Sequence, residues 1–268
     1  MTTKLKPYPA TKGSEVERLG DVPEHWEVRK LRHILRRVTK RNRLDLPLLS
    51  VVREQGVILR DISNMDENHN FIPDDLSNYK VVQTGQFAMN KMKAWQGSYG
   101  VSDLDGIVSP AYFVFDLTGV EGRFFHTAIR SQAYIPFFTQ ASDGVRIGQW
   151  DLAEARMREI SFLVPPLPEQ ATIVRFLDYA DRRIRRYIIA KQKLIKLLNE
   201  HKQAIIYRAV TRGLDPKVHL KPSGVEWLGE VPEHWDLIPN RALLRRRKTL
   251  VGDKHENYKL LSLSLIHI

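Results

Sequence analysis

The chain has 268 residues, of which 43% are hydrophobic, and this fraction is enough to build a core and excludes wholesale disorder. Its 42 Lys and Arg residues outnumber 31 Asp and Glu residues, so the formal net charge is +11. The absence of cysteine excludes disulfides, thiolate metal sites and cysteine nucleophiles. No secretory signal is apparent, and no apolar run approaches the roughly 18 residues of a membrane span, so we expect a soluble cytoplasmic protein.

A motif near the N-terminus occurs twice. Leu19–Trp26 reads Leu-Gly-Asp-Val-Pro-Glu-His-Trp, and Leu228–Trp235 repeats it with Glu230 in place of Asp21. A period of about 200 residues is too long for a solenoid and indicates that a domain begins a second time. Few residues follow the second copy, so we expect a chain that is truncated at its C-terminus.

A basic run follows the first copy of the motif. It contains Arg36, Arg37, Lys40, Arg41 and Arg43. Such a run could track a nucleic-acid backbone, because each neutralised phosphate releases counterions. The alternative is a solvated helix end. Most of the excess positive charge of the chain lies further on, after residue 168.

Residues 47–164 alternate strand-like runs with Gly, Asn, Asp and Pro. The predicted strands are Leu48–Val52, Gly56–Leu59, Gln86–Lys93 and Ala111–Leu117. We predict one helix over Val120–Phe138 and a short helical piece over Asp151–Arg158. The pattern predicts an α+β domain of mixed strands and helices.

Two loops of this block carry basic and polar side chains that could contact a nucleic acid, a class of partner that the excess positive charge allows. The first lies between Asn90 and Gly100 and offers Lys91, Lys93, Gln96, Ser98 and Tyr99; the alternative is an ordinary exposed hairpin. The second offers Arg146 and Gln149; the alternative is that Arg146 pairs with Asp143 or another carboxylate.

A long helix is predicted after the proline-rich stretch that ends at Pro168. Glu169–Thr211 contains no Gly or Pro, and its apolar residues recur every three or four positions. At 1.5 Å per residue it would span roughly 65 Å, so its apolar stripe needs another long helix, in the same chain or in a partner. The residues predicted to pair are Ile173, Leu177, Ala180, Ile184, Ile188, Leu194, Ile195, Leu198 and Ile205.

Catalytic signatures are missing from the sequence. It contains no phosphate-binding lysine loop, no HExxH zinc motif and no glycine-rich nucleotide loop. Asp74, Asp75 and Lys80 resemble the acid-acid-lysine set of nucleases, but surface loops often produce such triples. The sequence favours a binding protein over a nuclease or methyltransferase.

Several motifs together resemble the specificity subunit of bacterial type I restriction-modification systems. These are Gly224–Trp235, Pro165–Gln170 (Pro-Pro-Leu-Pro-Glu-Gln), Ala209–Gly213 at the helix end, Gly144–Arg146 with Trp150, and Ser109–Tyr112. The resemblance covers nearly the whole chain. It implies a target-recognition domain that reads one half of a split DNA sequence, and a helix that sets the spacing between the two halves.

The resemblance also implies partners. The modification (methyltransferase) subunits would dock on the helices, and a restriction subunit would supply translocation and cleavage. S-adenosylmethionine, ATP and magnesium would belong to those partners, with no cofactor, metal or catalytic residue on this chain.

The sequence departs from the family pattern because it holds only one complete recognition domain. The expected division is a recognition domain at 1–164, a spacer helix forming a coiled-coil arm at 165–213, and the start of a second recognition domain at 214–268. A half-size subunit that acts as a homodimer through its helix is one alternative. A coiled-coil interaction protein with no DNA role is another.

Overall fold

The structure is a computed structural model that describes residues 7–14, 16, 19–61, 73, 75–144 and 150–248. The chain divides into two compact units, Met1–Arg185 and Arg186–Ile268. The predicted division into a recognition domain, a spacer helix and a second recognition domain, with boundaries at residues 164 and 213, concerns function and stays a prediction. No helix of the described residues is long and apolar enough to cross a membrane.

Short antiparallel strands dominate the first unit. They are β1 (Thr11–Gly13), β2 (Asp21–Pro23), β3 (Glu27–Lys30), β4 (Leu35–Val38), β5 (Leu49–Val52), β6 (Gly56–Leu59), β7 (Lys80–Val82), β8 (Phe87–Asn90), β9 (Tyr99–Val101), β10 (Gly106–Val108), β11 (Tyr112–Leu117), β12 (Ser142–Asp143), β13 (Asp151–Leu152) and β14 (Ser161–Val164). The helices that accompany them are α1 (Gly122–Ile129), α2 (Ile135–Gln140), α3 (Glu154–Arg158) and the first part of α4 (Leu167–Arg212). The second unit holds the rest of α4 with β15 (Leu220–Pro222), β16 (Glu230–Pro232) and α5 (Asn240–Leu243).

A four-stranded sheet in the order β4-β11-β8-β9 organises the first unit. Successive side chains of a strand point to opposite faces, and the burial follows this period of two. Phe87 and Met89 of β8 lie in the larger core, whereas Ala88 lies in a second core against residues of β5, β7 and β10. The sheet is therefore buried on both faces.

Aromatic side chains fill the larger core. Phe162 of β14 is fully buried, and its ring centroid lies 4.9 Å from that of Phe125, 5.1 Å from that of Tyr134 and 6.2 Å from that of Phe124. Strand β14 in turn pairs with β3. Phe162 thus connects the strand that leads into α4 with helix α1 and the segment before α2.

The predicted helix over Val120–Phe138 was wrong in its continuity. The chain forms α1 and α2 with a break between them, because Arg130 ends α1 and Pro136 occupies the first turn of α2. Proline has no N–H to continue a helix but is well suited to a first turn. Asp151–Arg158 likewise divides into a strand, β13, and a helix, α3.

The long helix is confirmed, and α4 spans 46 residues. Its start is tied to the first unit through Gln170, which is fully buried. The Gln170 side chain donates to the Pro165 carbonyl at 2.7 Å and accepts from the Glu121 backbone N–H at 2.7 Å. After Arg212, Gly213 adopts a left-handed φ of 74°, which favours glycine at a helix end. The predicted class, mixed strands and helices followed by a long helix, is confirmed.

Candidate nucleic-acid interface

At one edge of the four-stranded sheet, where β4 and β8 end and β11 begins, loops from distant parts of the chain lie close together. The antiparallel register pairs Val114 with Val38 and Tyr112 with Asn90, so β4 and β8 end where β11 begins. Residues 39–41 and 91–93 therefore leave the sheet at the same edge. The basic run and the first candidate loop, separate in sequence, are brought together here.

Four cationic side chains cluster at this edge, and we call Arg37, Arg41, Lys80 and Lys91 the cationic edge. Burial, followed by the positive charges of Arg37, Arg41 and Lys91, lowers the pKa of Lys80. The Lys80 Nζ donates to the Tyr112 carbonyl at 2.6 Å. Sequence reasoning missed Lys80 as a member of this cluster, although a lysine in the otherwise apolar strand Lys80–Val82 is a usable signal.

Carboxylates neutralise part of the cationic edge. Arg37 pairs with Glu154 and also lies over the Phe113 ring, 4.6 Å from its centroid. Lys91 pairs with Asp151 at 2.8 Å. Arg41 is exposed, and its side chain has no carboxylate partner among the described residues. The cation most available to a phosphate is therefore Arg41.

The rest of the predicted basic run lies outside this cluster. Arg36 pairs with Asp116 at 2.9 Å, and Arg43 pairs with Asp45 at 2.7 Å. Lys40 donates to the Gln83 side chain at 3.2 Å. Arg36 and Arg37 belong to strand β4, so the solvated helix end considered for this run is not what the structure contains.

The first candidate loop presents only some of its predicted residues. Lys93 is exposed and Gln96 is half-buried, whereas Ser98 is buried. Tyr99 is fully buried, and its hydroxyl donates to the Ile129 carbonyl at 3.3 Å. Burial in the core removes Ser98 and Tyr99 from the surface that could contact DNA.

The second candidate loop, with Arg146 and Gln149, lies outside the described residues. Its neighbour Asp143, the carboxylate considered for Arg146, pairs with Arg156.

Arg130 holds a neighbouring turn in place, and sequence reasoning did not single it out. Its guanidinium donates to the Arg53 carbonyl at 2.7 Å and also to the Tyr99 carbonyl. The turn between β5 and β6, with the exposed Arg53 and Gln55, is thereby fixed beside strand β9. A half-buried arginine that bonds to backbone carbonyls leaves no pattern in the sequence.

The predicted pairing stripe of α4 has two environments. Ile173 packs against the larger core of the first unit. Leu177 is exposed and Ala180 half-buried, and in the second part of the stripe every predicted residue is exposed: Ile184, Ile188, Leu194, Ile195, Leu198 and Ile205. Apolar side chains exposed in such a continuous row are typical of an interaction surface.

The first turn of α4 is bound by the first copy of the repeated motif. Glu169 accepts hydrogen bonds from the Tyr8 hydroxyl at 2.5 Å and the Trp26 Nε1 at 3.1 Å, and its other oxygen lies 2.7 Å from His25 Nε2. Burial alone would raise the pKa of Glu169, but these hydrogen bonds outweigh it and lower the pKa. The same interaction raises the pKa of Tyr8 to about 12.

This contact predicts an acid-sensitive contribution to stability. A carboxylate with a lowered pKa stabilises the fold above the ordinary pKa of glutamate, and the contribution is lost as the pH falls through the lowered value. We expect Glu169→Gln to reduce the free energy of unfolding by about 1–3 kcal/mol at pH 7. The difference from the parent chain should shrink below about pH 4, as urea titrations across this range would measure.

The matched control is Glu200→Gln, an exposed glutamate of the same helix, which should change the free energy of unfolding by less than about 0.5 kcal/mol. A Glu169→Gln effect of constant size from pH 7 to pH 3 would contradict this assignment.

The acid-acid-lysine set does not form a catalytic cluster in the described residues. Asp75 accepts from the Ser77 backbone N–H at 2.8 Å, and Lys80 is buried against the Tyr112 carbonyl. Asp74 lies outside the described residues. Within the described ranges, no three His, Asp or Glu side chains are grouped so that they could hold a metal ion.

Two solved chains are among the known proteins to which this chain is similar. A solved chain from work on complex assembly and conformational transition of a type I R-M system is 20% identical, with a TM-score of 0.49, over 76% of this chain and 55% of that chain. The HsdS subunit from Thermoanaerobacter tengcongensis is 17% identical, with a TM-score of 0.48, over 75% of this chain and 52% of that chain. No family model matches the chain.

A curated protein is also similar to the chain. The MjaX type I restriction enzyme specificity subunit of Methanocaldococcus jannaschii is 19% identical over 247 residues, which cover 82% of this chain and 53% of the relative. The chain is similar to type I restriction specificity subunits. The resemblance predicted from the repeated motif and the helix junction is confirmed. The chain spans about half the length of the specificity subunits it matches.

Proposed function

We propose that the chain is a DNA-recognition subunit of a type I restriction-modification complex and reads one half of a bipartite target. The observation that carries this proposal is the similarity to a specificity subunit over 82% of the chain. The catalytic steps are assigned to other subunits, so the chain itself is proposed to be non-catalytic. We place it in the cytoplasm, where such a complex would meet DNA.

The cationic edge supports the DNA-binding part of the proposal. Phosphate contacts position a protein on DNA, and base contacts in the grooves supply sequence specificity. Arg41 and Lys93 are exposed cations at the same sheet edge, and Gln96 lies three residues beyond Lys93. We assign Arg41 and Lys93 to phosphates and Gln96 to a base edge.

The exposed stripe of α4 supports the assembly part. We propose that Ile184–Ile205 pairs with a second long helix, and that the modification and restriction subunits dock on this helical arm. A fixed rise of 1.5 Å per residue would then convert helix length into the spacing between two half-sites. Pairing of two identical chains through the same stripe is the alternative form of this assembly.

A mobility-shift titration tests the proposal. The chain is mixed with modification subunits and a pool of random DNA duplexes, and the shifted DNA is sequenced. The proposal predicts enrichment of a defined short sequence that depends on the chain. Enrichment that does not change when the chain is omitted would contradict it, as would turnover of DNA by the chain alone with magnesium or S-adenosylmethionine.

One substitution tests the cationic edge directly. We expect Arg41→Ala to weaken binding to all DNA sequences alike and to reduce the slope of log affinity against log salt by about one. The matched control is Arg43→Ala, in the same basic run, because Arg43 is already paired with Asp45. Fluorescence anisotropy from 50 to 300 mM salt would measure the affinity and the salt slope of both variants. Equal slopes for the two variants would contradict the assignment of Arg41 to the DNA interface.

A further inference from the structure

The turn between β5 and β6, Arg53–Gln55, lies at the same end of the first unit as the cationic edge. Strand β5 runs parallel to β10, because the backbones of Leu48 and Ile107 form a parallel bridge. Strand β10 leads directly into β11, and β11 begins at the cationic edge. The chain that leaves β5 therefore turns back at that edge.

Close packing fixes the turn against β9. Gly56, the first residue after the turn, has a left-handed φ of 79°. A Cβ on Gly100 of β9 would lie 3.2 Å from the Gly56 Cα and 3.1 Å from the His126 Cε1, which is closer than most carbon contacts. The two strands approach this closely because both residues are glycine. The position of the turn is thus set by backbone contact.

Arg130 connects the turn to the first candidate loop. Its half-buried guanidinium donates to the carbonyl of Arg53 at 2.7 Å, to that of Tyr99, and to that of Gly97 at 3.5 Å. Gly97 directly follows Gln96, so one side chain joins the turn to the loop that carries Lys93 and Gln96. Because its hydrogen bonds go to backbone carbonyls, Arg130 acts on the position of the two loops and is not itself a cation offered to DNA.

The turn presents polar side chains to solvent. Arg53, Glu54 and Gln55 are all exposed. The Arg53 Nε lies 4.0 Å from a Glu54 carboxylate oxygen, and the two side chains are 65% and 75% exposed. An exposed ion pair of this length contributes little to stability, so a phosphate can replace Glu54 as the partner of Arg53. The Gln55 amide carries the donor and acceptor that read adenine in the major groove.

We propose that Arg53–Gln55 is a second DNA-contacting element, in which Arg53 binds a phosphate and Gln55 reads a base edge, with Arg130 as its positioning residue. The inference rests on the proposed function and adds three residues to the interface that it assigns. It also divides the work among them, since only Gln55 supplies specificity directly.

The spacing of the strands supports this assignment. Neighbouring strands lie about 4.8 Å apart, so the three steps from β4 through β11 and β8 to β9 cover about 14 Å. The major groove of B-DNA is about 12 Å wide. Arg41, which follows β4, and Arg53, beside β9, are therefore spaced to contact the two phosphate backbones that flank one groove. Gln55 and Gln96 are then assigned to base edges of that groove.

Substitution of the two exposed residues tests the proposal in the chain bound to modification subunits. In sequencing of shifted DNA from a random duplex pool, Gln55→Ala should reduce discrimination about tenfold or more at one base pair, different from the one affected by Gln96→Ala. Arg53→Ala should weaken binding to all sequences alike and lower the salt slope by about one.

The matched control is Arg32→Ala. Arg32 is an exposed arginine that precedes β4, so it lies at the opposite end of that strand from the cationic edge, and it pairs with Glu159 at 2.5 Å. Its loss should change neither base preference nor the salt slope. A slope for Arg53→Ala equal to that for Arg32→Ala would overturn the phosphate assignment of Arg53.

A double-substitution cycle tests the positioning role of Arg130. Arg130→Met keeps the length of the side chain but removes its donors, and it should reduce discrimination at the base pair assigned to Gln55. Adding Gln55→Ala to Arg130→Met should then cause no further loss, because the turn is already displaced. A full additional loss would overturn the positioning role. Gln55→Ala and Arg53→Ala change exposed side chains only, so they test the turn even if Arg130→Met does not fold.

Failure of this inference is distinguishable from failure of the proposed function. If the parent chain selects a DNA sequence while Gln55→Ala and Arg53→Ala behave as the parent does, the Arg53–Gln55 turn is not part of the interface and only this inference is overturned. If the parent chain with modification subunits selects no sequence, the proposed function is overturned and this inference with it.

Discussion

Replacing Ile188 and Leu198 together by lysine is expected to weaken assembly with the helical partner by about 100-fold or more. Each of these side chains is more than half exposed in the chain, at 51% and 57%. Full burial of such a side chain contributes roughly 1.5–3 kcal/mol, and tenfold in affinity corresponds to about 1.4 kcal/mol. Sedimentation velocity of the chain with modification subunits would measure the loss.

The control places two lysines on the opposite face of the same helix. With 3.6 residues per turn, Ile189 and Ala204 point away from the stripe, and both are exposed. Ile189→Lys with Ala204→Lys adds the same charge and should leave assembly within about threefold of the parent chain. Equal losses in the two double variants would contradict a specific role for the apolar stripe and would indicate a general effect of charge.

Phe162→Ala is expected to produce the largest loss of stability from a single substitution, about 3–5 kcal/mol in the free energy of unfolding. Phe162 is fully buried, and its ring meets rings from both α1 and the segment before α2. Removing it leaves a cavity at the point where β14 leads into α4. Urea denaturation followed by circular dichroism would measure the change.

Phe176→Ala provides the matched control, because Phe176 lies on α4 and is 44% exposed. The same deletion of a ring should there cost less than about 1 kcal/mol, since little packing is lost. Similar losses for Phe162→Ala and Phe176→Ala would contradict the assignment of Phe162 to the centre of the larger core.

The sequence predicted those elements whose signal is local. The helix predicted over Glu169–Thr211 is observed as Leu167–Arg212, because apolar periodicity, a proline start and a glycine end all agree. The strand Gly56–Leu59 has the predicted bounds. The break between α1 and α2 was missed because the aromatic residues continue the helical spacing across it.

The candidate site was predicted less completely, since its geometry depends on distant pairs. The sequence predicts Tyr99 in a loop near two glycines. In the structure, β9 pairs with β8, and the Tyr99 side chain of β9 is buried in the larger core. Arg37 looked available, yet α3 supplies Glu154 as its partner. The repeat was evident, but its contact with Glu169 joins residues far apart in sequence. Only folding brings such groups together.

In the proposed function, this chain supplies the sequence specificity of a complex whose chemistry is done by other subunits. The most direct measurement maps methylated adenines in DNA from cells that carry the modification subunit with the parent chain, with Gln96→Ala, or with no chain. We expect methylation at one split sequence with the parent chain, relaxed preference at a single base pair with Gln96→Ala, and no methylation of that sequence without the chain. An identical methylation map with and without the chain would contradict it.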